Sequence, residues 1–141
     1  MLCNDIMKSN VECLPATDSV QSAARRMRDR NIGFIPVCDS SMKVIGTITD
    51  RDLAIRVLTD SRSASTPLAD VMTREVVACR ATDPVERAQE LMAKHQKSRI
   101  VCTDKDGKPL GVISLSDIVN RVDPPGAVQT MRRVTAREAH A

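Results

Sequence analysis

Apolar and polar positions along the first sixty residues follow two periods, one typical of strands and the other typical of helices. Continuous apolar and β-branched runs bounded by polar turns predict strands. Between them, Val20, Ala23, Ala24 and Met27 recur at the spacing of a single helix face, and Asp18 is the predicted N-cap. The elements are predicted in the order β-α-β-β-α, with strands over residues 11–14, 34–38 and 43–49, the helix just described after the first strand, and a short helix over residues 50–58.

The same pattern occurs twice. Sliding the sequence by 65 residues aligns it with itself without a gap, and 17 of the 53 positions between residues 5 and 57 are identical, where chance would give only a few. Self-similarity at a fixed period indicates an internal duplication. In the second copy, Asp83 is the predicted cap, with Pro84 in the first turn and Glu86 three residues after the cap. The predicted divisions are repeat 1 (1–59), a linker (60–69), repeat 2 (70–122) and a helical tail (123–141).

Neither repeat is long enough to bury a comfortable core alone. We therefore expect an α/β fold in which the two β-α-β-β-α repeats pack sheet to sheet around a pseudo-twofold axis. This packing would leave two related clefts near the strand-to-helix turns. In the tail, Val128, Met131 and Val134 share one predicted helix face, which would dock on the body or on a second subunit.

The composition excludes several function classes. A net charge of +3 is too small to favour nucleic acid, and Phe34 is the only aromatic residue, so the stacking platform of single-strand binders is missing. No apolar run approaches the ~20 residues of a membrane span and no signal-peptide pattern opens the chain, so we expect a cytoplasmic protein. His95 and His140 have no neighbours in sequence that suggest a nucleophile or ligand set, and we expect no catalysis.

The cysteines are odd in number and show no CxxC spacing. Three of them lie in strand-like apolar runs. We therefore expect free buried thiols, and neither a disulfide framework nor a zinc site. The five residues are Cys3, Cys13, Cys38, Cys79 and Cys102.

The stretch "GTITDRDL" (46–53) carries the strongest chemical signal, because carboxylates and a hydroxyl gather at the end of a predicted strand. A catalytic carboxylate pair, a metal site, a helix cap and a ligand clamp all fit it. The second copy, "GVISLSDI", keeps a Gly, a hydroxyl three residues later and an Asp three residues after that. Asp50 and Arg51 are not kept, which argues against a carboxylate pair and leaves a magnesium site open only in the first copy. The cap and the clamp stay open, since the S/T-x-x-D spacing also forms a capping box.

The duplicated pattern resembles a tandem cystathionine-β-synthase (CBS) domain pair, also called a Bateman module, and is especially similar to small stand-alone bacterial proteins of this kind. The resemblance spans residues 3–122. In the first copy it rests on "DIM", "ATDSVQSAARRM", "NIGFIPVCD" and "VIGTITDRDL". In the second it rests on "DVM", "ATDPVERAQELM", "SRIVCTD" and "PLGVISLSDI".

This resemblance implies a non-catalytic regulatory module whose clefts bind AMP, ADP, ATP or another adenosyl compound such as NAD or S-adenosylmethionine, with no required cofactor. The residues that it implies for the first site are Thr49, Asp52, Arg51, Val11, Cys13, Ile35 and Pro36. Those for the second site are Ser114, Asp117, Arg99, Val76, Ala78, Ile100 and Val101, where Val101 replaces the usual Pro.

The resemblance also implies how such a module transmits its state. A homodimer would form a flat disc of four repeats, with Val57, Leu58 and Val119 as candidate contacts. Because no regulated domain accompanies the pair in this sequence, an unknown protein partner would be acted on in trans. The alternative is a protein-interaction scaffold whose clefts are vestigial and unoccupied.

Overall fold

The computed structural model describes residues 1–140, without the side chains of Ala139 and His140; Ala141, the last residue of the predicted tail, lies outside the described residues. The elements of the first half are α1 (Cys3–Ile6), β1 (Leu14–Pro15), α2 (Val20–Arg30), β2 (Phe34–Cys38), β3 (Val44–Thr49), α3 (Asp50–Asp52), a π-helical segment (Leu53–Leu58) and a 3-10 turn (Leu68–Asp70). Those of the second half are β4 (Ala78–Arg80), α4 (Val85–His95), β5 (Arg99–Thr103), β6 (Pro109–Ser114), α5 (Leu115–Arg121), α6 (Pro124–Thr135) and a 3-10 turn (Ala136–His140).

The chain forms two compact units, one made of residues 12–76 and the other of residues 1–11 together with residue 77 onward. Each holds a three-stranded sheet, ordered β1-β2-β3 or β4-β5-β6, with one parallel and one antiparallel pairing. The α/β fold of two tandem repeats is confirmed. The unit boundaries differ from those of the sequence repeats, because the N-terminal segment of each repeat belongs to the other unit.

Each of these exchanged segments forms a two-hydrogen-bond antiparallel bridge to the last strand of the sheet that it joins. Thr47 and Thr73 donate to each other's carbonyl at 2.9 Å, and Lys8 and Val112 do so at 2.9 and 3.0 Å. A further bond follows the 65-residue offset: the Cys3 N–H donates to the Asp83 carbonyl at 2.8 Å, as Leu68 does to Asp18. The duplication therefore includes the way each segment is held.

Each unit has its own core, built almost wholly from aliphatic, Met and Cys side chains. In residues 12–76 the core includes Leu14, Val20, Ala23, Met27, Ile35, Val37, Ile48, Val57, Leu68, Val71 and Met72. In the other unit it includes Cys3, Ile6, Val77, Cys79, Val85, Ala88, Met92, Ile100, Cys102, Ile113, Ile118, Ala127 and Val134. The predicted apolar face of α2 is confirmed at Val20, Ala23 and Met27, which are buried, and is wrong at Ala24, which is exposed.

The first predicted strand, residues 11–14, is wrong in its bounds, since β1 covers only Leu14 and Pro15. The cause lies in the neighbouring strand. Extending the parallel register would pair Cys13 with Pro36, which has no N–H to donate. In the second unit the residue at that position is Val101, whose N–H donates to the Val77 carbonyl at 3.4 Å, and β4 is one residue longer.

The predicted helix caps are also corrected. Ser19 is the N-cap of α2, and its hydroxyl accepts from the Ser22 N–H at 3.1 Å, while Asp18 accepts from the Ser22 hydroxyl. Pro84 is the N-cap of α4, without a side-chain hydrogen bond. Asp83 instead accepts from the Arg80 N–H at 2.8 Å and so orders the turn before the helix.

An Asp at corresponding positions of the two hairpin turns accepts the same pair of backbone hydrogen bonds in each. Asp39 accepts from the Ser41 and Lys43 N–H groups at 2.9 and 3.0 Å. Asp104 accepts from the corresponding Asp106 and Lys108 N–H groups at 2.8 and 3.0 Å. The hydrogen bond from Lys108 and the one from Asp106 hold the pKa of Asp104 below its ordinary value.

The predicted tail helix is confirmed as α6, but its buried face is different from the predicted one. Val134 is buried, whereas Val128 and Met131 are 46% and 36% exposed. Polar bonding explains the rotation, because Gln89 of α4 donates to the hydroxyl of Thr130 at 2.9 Å. This contact turns Thr130 inward and Met131 outward.

Adding a methyl group at Gly111 is expected to lower the free energy of unfolding by about 1–3 kcal/mol, the usual cost of overpacking. The new Cβ of Gly111→Ala would lie 2.8 Å from the Lys8 carbonyl and 2.7 Å from the Met7 sulfur, so backbone as well as side chain must move. Gly46→Ala should behave alike, with the Thr73 carbonyl at 3.0 Å. Urea unfolding measures both.

Gly126→Ala is the matched control, since the three atoms nearest its Cβ would all belong to the flexible Asp123 side chain, the closest at 3.1 Å. Alanine also favours the helix there. Equal stability losses for Gly126→Ala and Gly111→Ala would contradict the close-approach explanation.

Candidate functional site

The stretch singled out in the sequence forms a reciprocal cap where β3 passes into α3. The Thr49 hydroxyl accepts from the Asp52 N–H at 3.1 Å, and Asp52 Oδ2 accepts from the Thr49 N–H at 3.0 Å. Thr49 is extended and the next residue is helical, so these bonds satisfy donors that the helix itself leaves open. The helix-cap interpretation is confirmed for this repeat.

The second repeat builds the same arrangement where β6 passes into α5. Asp117 Oδ2 accepts from the Ser114 N–H at 2.9 Å, and the Ser114 oxygen accepts from the Asp117 N–H at 3.3 Å. Ser114 is buried, and its hydroxyl also lies 2.8 Å from that of Ser116. A hydroxyl and a carboxylate are thus fixed relative to each other at both turns.

The remaining carboxylate oxygen of each pair faces a cation. Asp52 Oδ1 lies 3.8 Å from Arg56 Nε, and Asp117 Oδ1 lies 3.5 Å from Lys8 Nζ. The two Asp side chains are only 13% and 12% exposed, whereas those of Arg56 and Lys8 are 45% and 71% exposed. Each turn therefore presents one carboxylate oxygen with acceptor capacity left over beside a positive charge.

Sequence reasoning missed both of these cations. Arg56 could have been noticed in the sequence, because the residue at the corresponding position of the second repeat, Arg121, is also an arginine. Both arginines also bind the exchanged segments: Arg56 donates to the Val71 carbonyl at 2.9 Å and Arg121 to the Asp5 carbonyl at 3.2 Å. Lys8 had no such signal, since Thr73 occupies its position in the other repeat.

Asp50 and Arg51, which the second repeat lacks, occupy the exposed first turn of α3. The Asp50 side chain accepts from the Arg51 N–H at 2.8 Å and lies over Gly33, whose added Cβ would be 2.8 Å from Asp50 Oδ2. Asp50 thus opens the helix, as predicted. Within residues 1–138, where side chains are described, no group of three or more His, Cys, Asp or Glu is arranged to hold a metal ion.

The strand next to each turn brings a different residue beside the hydroxyl. Phe34 pairs with Thr49 in the antiparallel register, and Arg99 pairs with Ser114. Arg99 is exposed, so its guanidinium adds charge to the second turn only. The residue that flanks the turn thus differs between the two repeats, and the expected difference between the two sites stays a prediction.

The residues predicted for the adenine pockets differ in how deeply they are buried. The side chains of Ile35, Pro36, Ile100 and Val101 are buried, and Ile35 and Ile100 belong to the cores of their units. Cys13, which precedes β1, and Ala78, the first residue of β4, are half-buried.

Val11 is the last residue of the segment 1–11, whereas the other residues predicted for the first site lie in the unit made of residues 12–76. Conversely, Val76 is the last residue of that unit, whereas the other residues predicted for the second site lie in the unit that contains residue 77 onward. The pocket roles of all these residues stay predictions.

The expectation of five free thiols is wrong for two of them, because Cys13 and Cys38 form a disulfide with Cα atoms 6.1 Å apart. The pairing joins residues that are near neighbours across β1 and β2, although they are 25 apart in sequence. Sequence spacing alone cannot give such proximity, which depends on strand register.

The other three thiols are free and buried, as predicted. The Cys79 sulfur lies 3.4 Å from that of Cys102 and 3.6 Å from that of Cys3. The hydrogen bonds of Cys102 with Cys3 and Cys79, together with burial, raise the pKa of the Cys102 thiol above its ordinary value. Cys102 therefore stays protonated at neutral pH and packs as an apolar side chain.

Comparison with models of known protein families identifies the family to which the chain belongs. The CBS domain model matches residues 3–58 and again residues 68–123, so the chain belongs to the CBS domain family and carries two copies of the domain. The resemblance read from the sequence is confirmed. The CBS domain-containing protein YhcV of Bacillus subtilis (strain 168) is 31% identical over 137 residues, which cover 96% of this chain and 96% of YhcV.

Two solved structures share the fold. The CBS domain pair of protein MJ0100, in complex with 5′-methylthioadenosine and S-adenosyl-L-methionine, has a TM-score of 0.76 at 25% identity, covering 85% of this chain and 94% of that one. The CBS domain protein PAE2072 from Pyrobaculum aerophilum, complexed with AMP, has a TM-score of 0.79 at 19% identity, covering 93% and 98%. At 19% identity, the likeness to PAE2072 concerns the fold alone. No helix in the described part of this chain has the length and apolar character of a membrane span.

Thr49→Val should lower the free energy of unfolding by about 0.5–2 kcal/mol, because it removes an N-cap oxygen while keeping the β-branched shape. Thr49→Ser is the matched variant, since it keeps the oxygen that accepts from Asp52. Thermal and urea unfolding compare the two. If both variants lost stability equally, the cap would not be the reason.

Proposed function

We propose that the protein is a regulatory module that binds an adenine nucleotide or adenosyl compound at its strand-to-helix turns. The observation that carries this proposal is the repeated geometry of hydroxyl and carboxylate, Thr49 with Asp52 and Ser114 with Asp117. Two relatives of the same fold were crystallised with adenosine-containing ligands, which supports the proposed class of ligand.

The carboxylate geometry suits the two hydroxyls of a ribose. In each pair Oδ2 is engaged by a backbone N–H, so its position is fixed before any ligand arrives. Among the residues whose side chains are described, Oδ1 meets a long ion pair, and two donating hydroxyls would bind it at shorter distance than Arg56 or Lys8. The cap thus prepares the binding group, and the cap and clamp roles do not compete.

The phosphate side of the ligand would meet arginine, in a different way at each turn. Arg51 follows the cap in the first repeat, where the second has Ser116, and Arg99 precedes the turn in the second repeat, where the first has Phe34. We therefore propose that the two sites differ in affinity for charged nucleotides. Ligand binding would be signalled by a change in conformation or assembly, to an unknown protein partner in trans.

Asp52→Ala is expected to weaken nucleotide binding at the first site by about 1–3 kcal/mol, the range for losing a charged hydrogen-bond partner. Asp50→Asn should weaken it much less, because Asn also favours a helix start. Thr49→Val should fall between the two. The ligand is chosen by melting the protein with AMP, ADP, ATP, NAD and S-adenosylmethionine in turn, since binding to the native state raises Tm. Calorimetric titration then compares the variants after circular dichroism has shown each to be folded.

Loss of binding in Asp50→Asn with binding intact in Asp52→Ala would invert the assignment and favour a metal-bridged phosphate at Asp50. If none of the five compounds raised Tm, the scaffold with vestigial clefts would become the better account.

We also propose that the chain forms a homodimer through exposed apolar side chains. Leu58 is 75% and Val119 is 41% exposed, whereas Val57, also predicted as a contact, is buried in the core of its own unit. The proposal is supported by the tendency of such surfaces to associate with closed twofold symmetry.

Light scattering at micromolar concentration should give twice the mass of one chain, and Leu58→Asp with Val119→Asp should halve it. Met42→Asp is the control, because Met42 is 52% exposed in a hairpin turn. A monomeric parent protein would rule the dimer out.

A further inference from the structure

The Cys13–Cys38 disulfide ties the residue before β1 to the last residue of β2. Cys38 is 2% exposed, whereas Cys13 is only half-buried, so a small thiol or disulfide can reach the bond from the Cys13 side. The second repeat has Ala78 and Thr103 at the corresponding positions. This covalent tie therefore belongs to the first repeat alone.

The disulfide lies where the sheet lacks a backbone hydrogen bond. In the second repeat the Val101 N–H donates to the Val77 carbonyl and continues the parallel ladder. Pro36 occupies that position in the first repeat and has no N–H. Glu12 and Cys13 are consequently attached to β2 by the sulfur bridge where the other unit uses its backbone.

The other attachment of this segment is ionic. The Glu12 carboxylate pairs with both Arg26 and Arg30 on α2. The two arginine side chains are 39% and 43% exposed, so salt and water weaken these pairs. Breaking the disulfide would leave residues 12–13 held chiefly by a screened interaction.

We propose that the Cys13–Cys38 pair is a reversible redox switch that fixes residues 12–13 when oxidised, and thereby sets the ligand affinity of the first-repeat site but not that of the second. The regulatory half of this inference rests on the proposed function, since Cys13 is one of the residues predicted for that site. Fixing the segment in advance removes an ordering cost from binding, so the oxidised form binds more tightly.

The chemistry balances as an exchange with a low-molecular-weight disulfide. The Cys13 thiolate attacks one sulfur of the small disulfide, forms a mixed disulfide and releases one thiolate. The Cys38 thiolate then attacks the Cys13 sulfur and releases the second. The two protons lost by the protein thiols are taken up by the two small thiolates, so the protein pair is oxidised and the small disulfide is reduced to two thiols.

The experiment compares the full chain equilibrated with oxidised or with reduced glutathione, after removal of the glutathione. Peptide mapping without reduction should find Cys13 linked to Cys38 in the first sample only. Hydrogen–deuterium exchange at the amides of residues 12–13 should be faster in the reduced sample. AMP titration should show affinity at one site weaker by about fivefold or more in the reduced sample, the lower end of typical coupling between sites.

Two variants make the test specific. The double variant Cys13→Ser with Cys38→Ser should behave as the reduced protein under both conditions, since neither partner thiol is left to form a mixed disulfide, and it controls for effects of Cys3, Cys79 and Cys102. Pro36→Val should restore the N–H that Val101 supplies in the other repeat, so its exchange rate and AMP affinity should change little between the oxidised and reduced samples.

Each outcome of these experiments tests a different part of the proposal. Exchange at residues 12–13 that is equal in both samples of the parent protein overturns the switch. Faster exchange on reduction, together with no rise in Tm from AMP, ADP, ATP, NAD or S-adenosylmethionine in either sample, supports the switch in residues 12–13 and overturns the proposed function. Faster exchange with equal AMP affinity overturns the regulatory half while nucleotide binding stands. A redox response in Pro36→Val as large as in the parent contradicts the role given to the missing N–H.

Discussion

The close approach of a backbone carbonyl to a glycine in the last strand of each sheet is the constraint on which the other features depend. Gly46 and Gly111 leave room for the carbonyls of Thr73 and Lys8, and the neighbouring residues then exchange two backbone hydrogen bonds with the arriving segment. Each bridge anchors a segment that belongs in sequence to the other repeat. Each unit therefore needs both repeats to complete its sheet edge, which explains why two short repeats occur together in one folded chain.

The docked segments also prepare the strand-to-helix turns electrostatically. Lys8 reaches Asp117 because its segment is bridged to β6, and Arg56 is held near Asp52 while it donates to the carbonyl of Val71 in the docked segment. In both turns the carboxylate is fixed by its cap, and its ion pair with the cation is long, at 3.8 Å for Arg56 and 3.5 Å for Lys8. A ligand hydroxyl at such a carboxylate would replace a weak contact rather than a strong one.

The sequence predicts what is local or repeated, and fails where contacts depend on register. The helices, the hairpins, the duplication and the pair formed by Thr49 and Asp52 follow from periodicity and a 65-residue offset. The exchange of the N-terminal segments is not visible in that offset, because self-alignment shows which residues correspond and not which unit they join. Likewise, Cys13 and Cys38 become partners only through the pairing of β1 with β2, and the face of α6 that is buried depends on the contact between Gln89 and Thr130.

The two repeats share the backbone hydrogen bonds that hold the exchanged segments, but they differ at the start of the first strand of each sheet. A single exchange of Val for Pro removes a donor from a parallel ladder and shortens the strand by one residue, from β4 with three to β1 with two. A covalent bridge between Cys13 and Cys38 spans the same region of the first repeat. A ladder hydrogen bond is insensitive to thiols, whereas a disulfide is broken by them. The two units are thus close copies in fold, while among the described residues the disulfide attachment belongs to the first repeat.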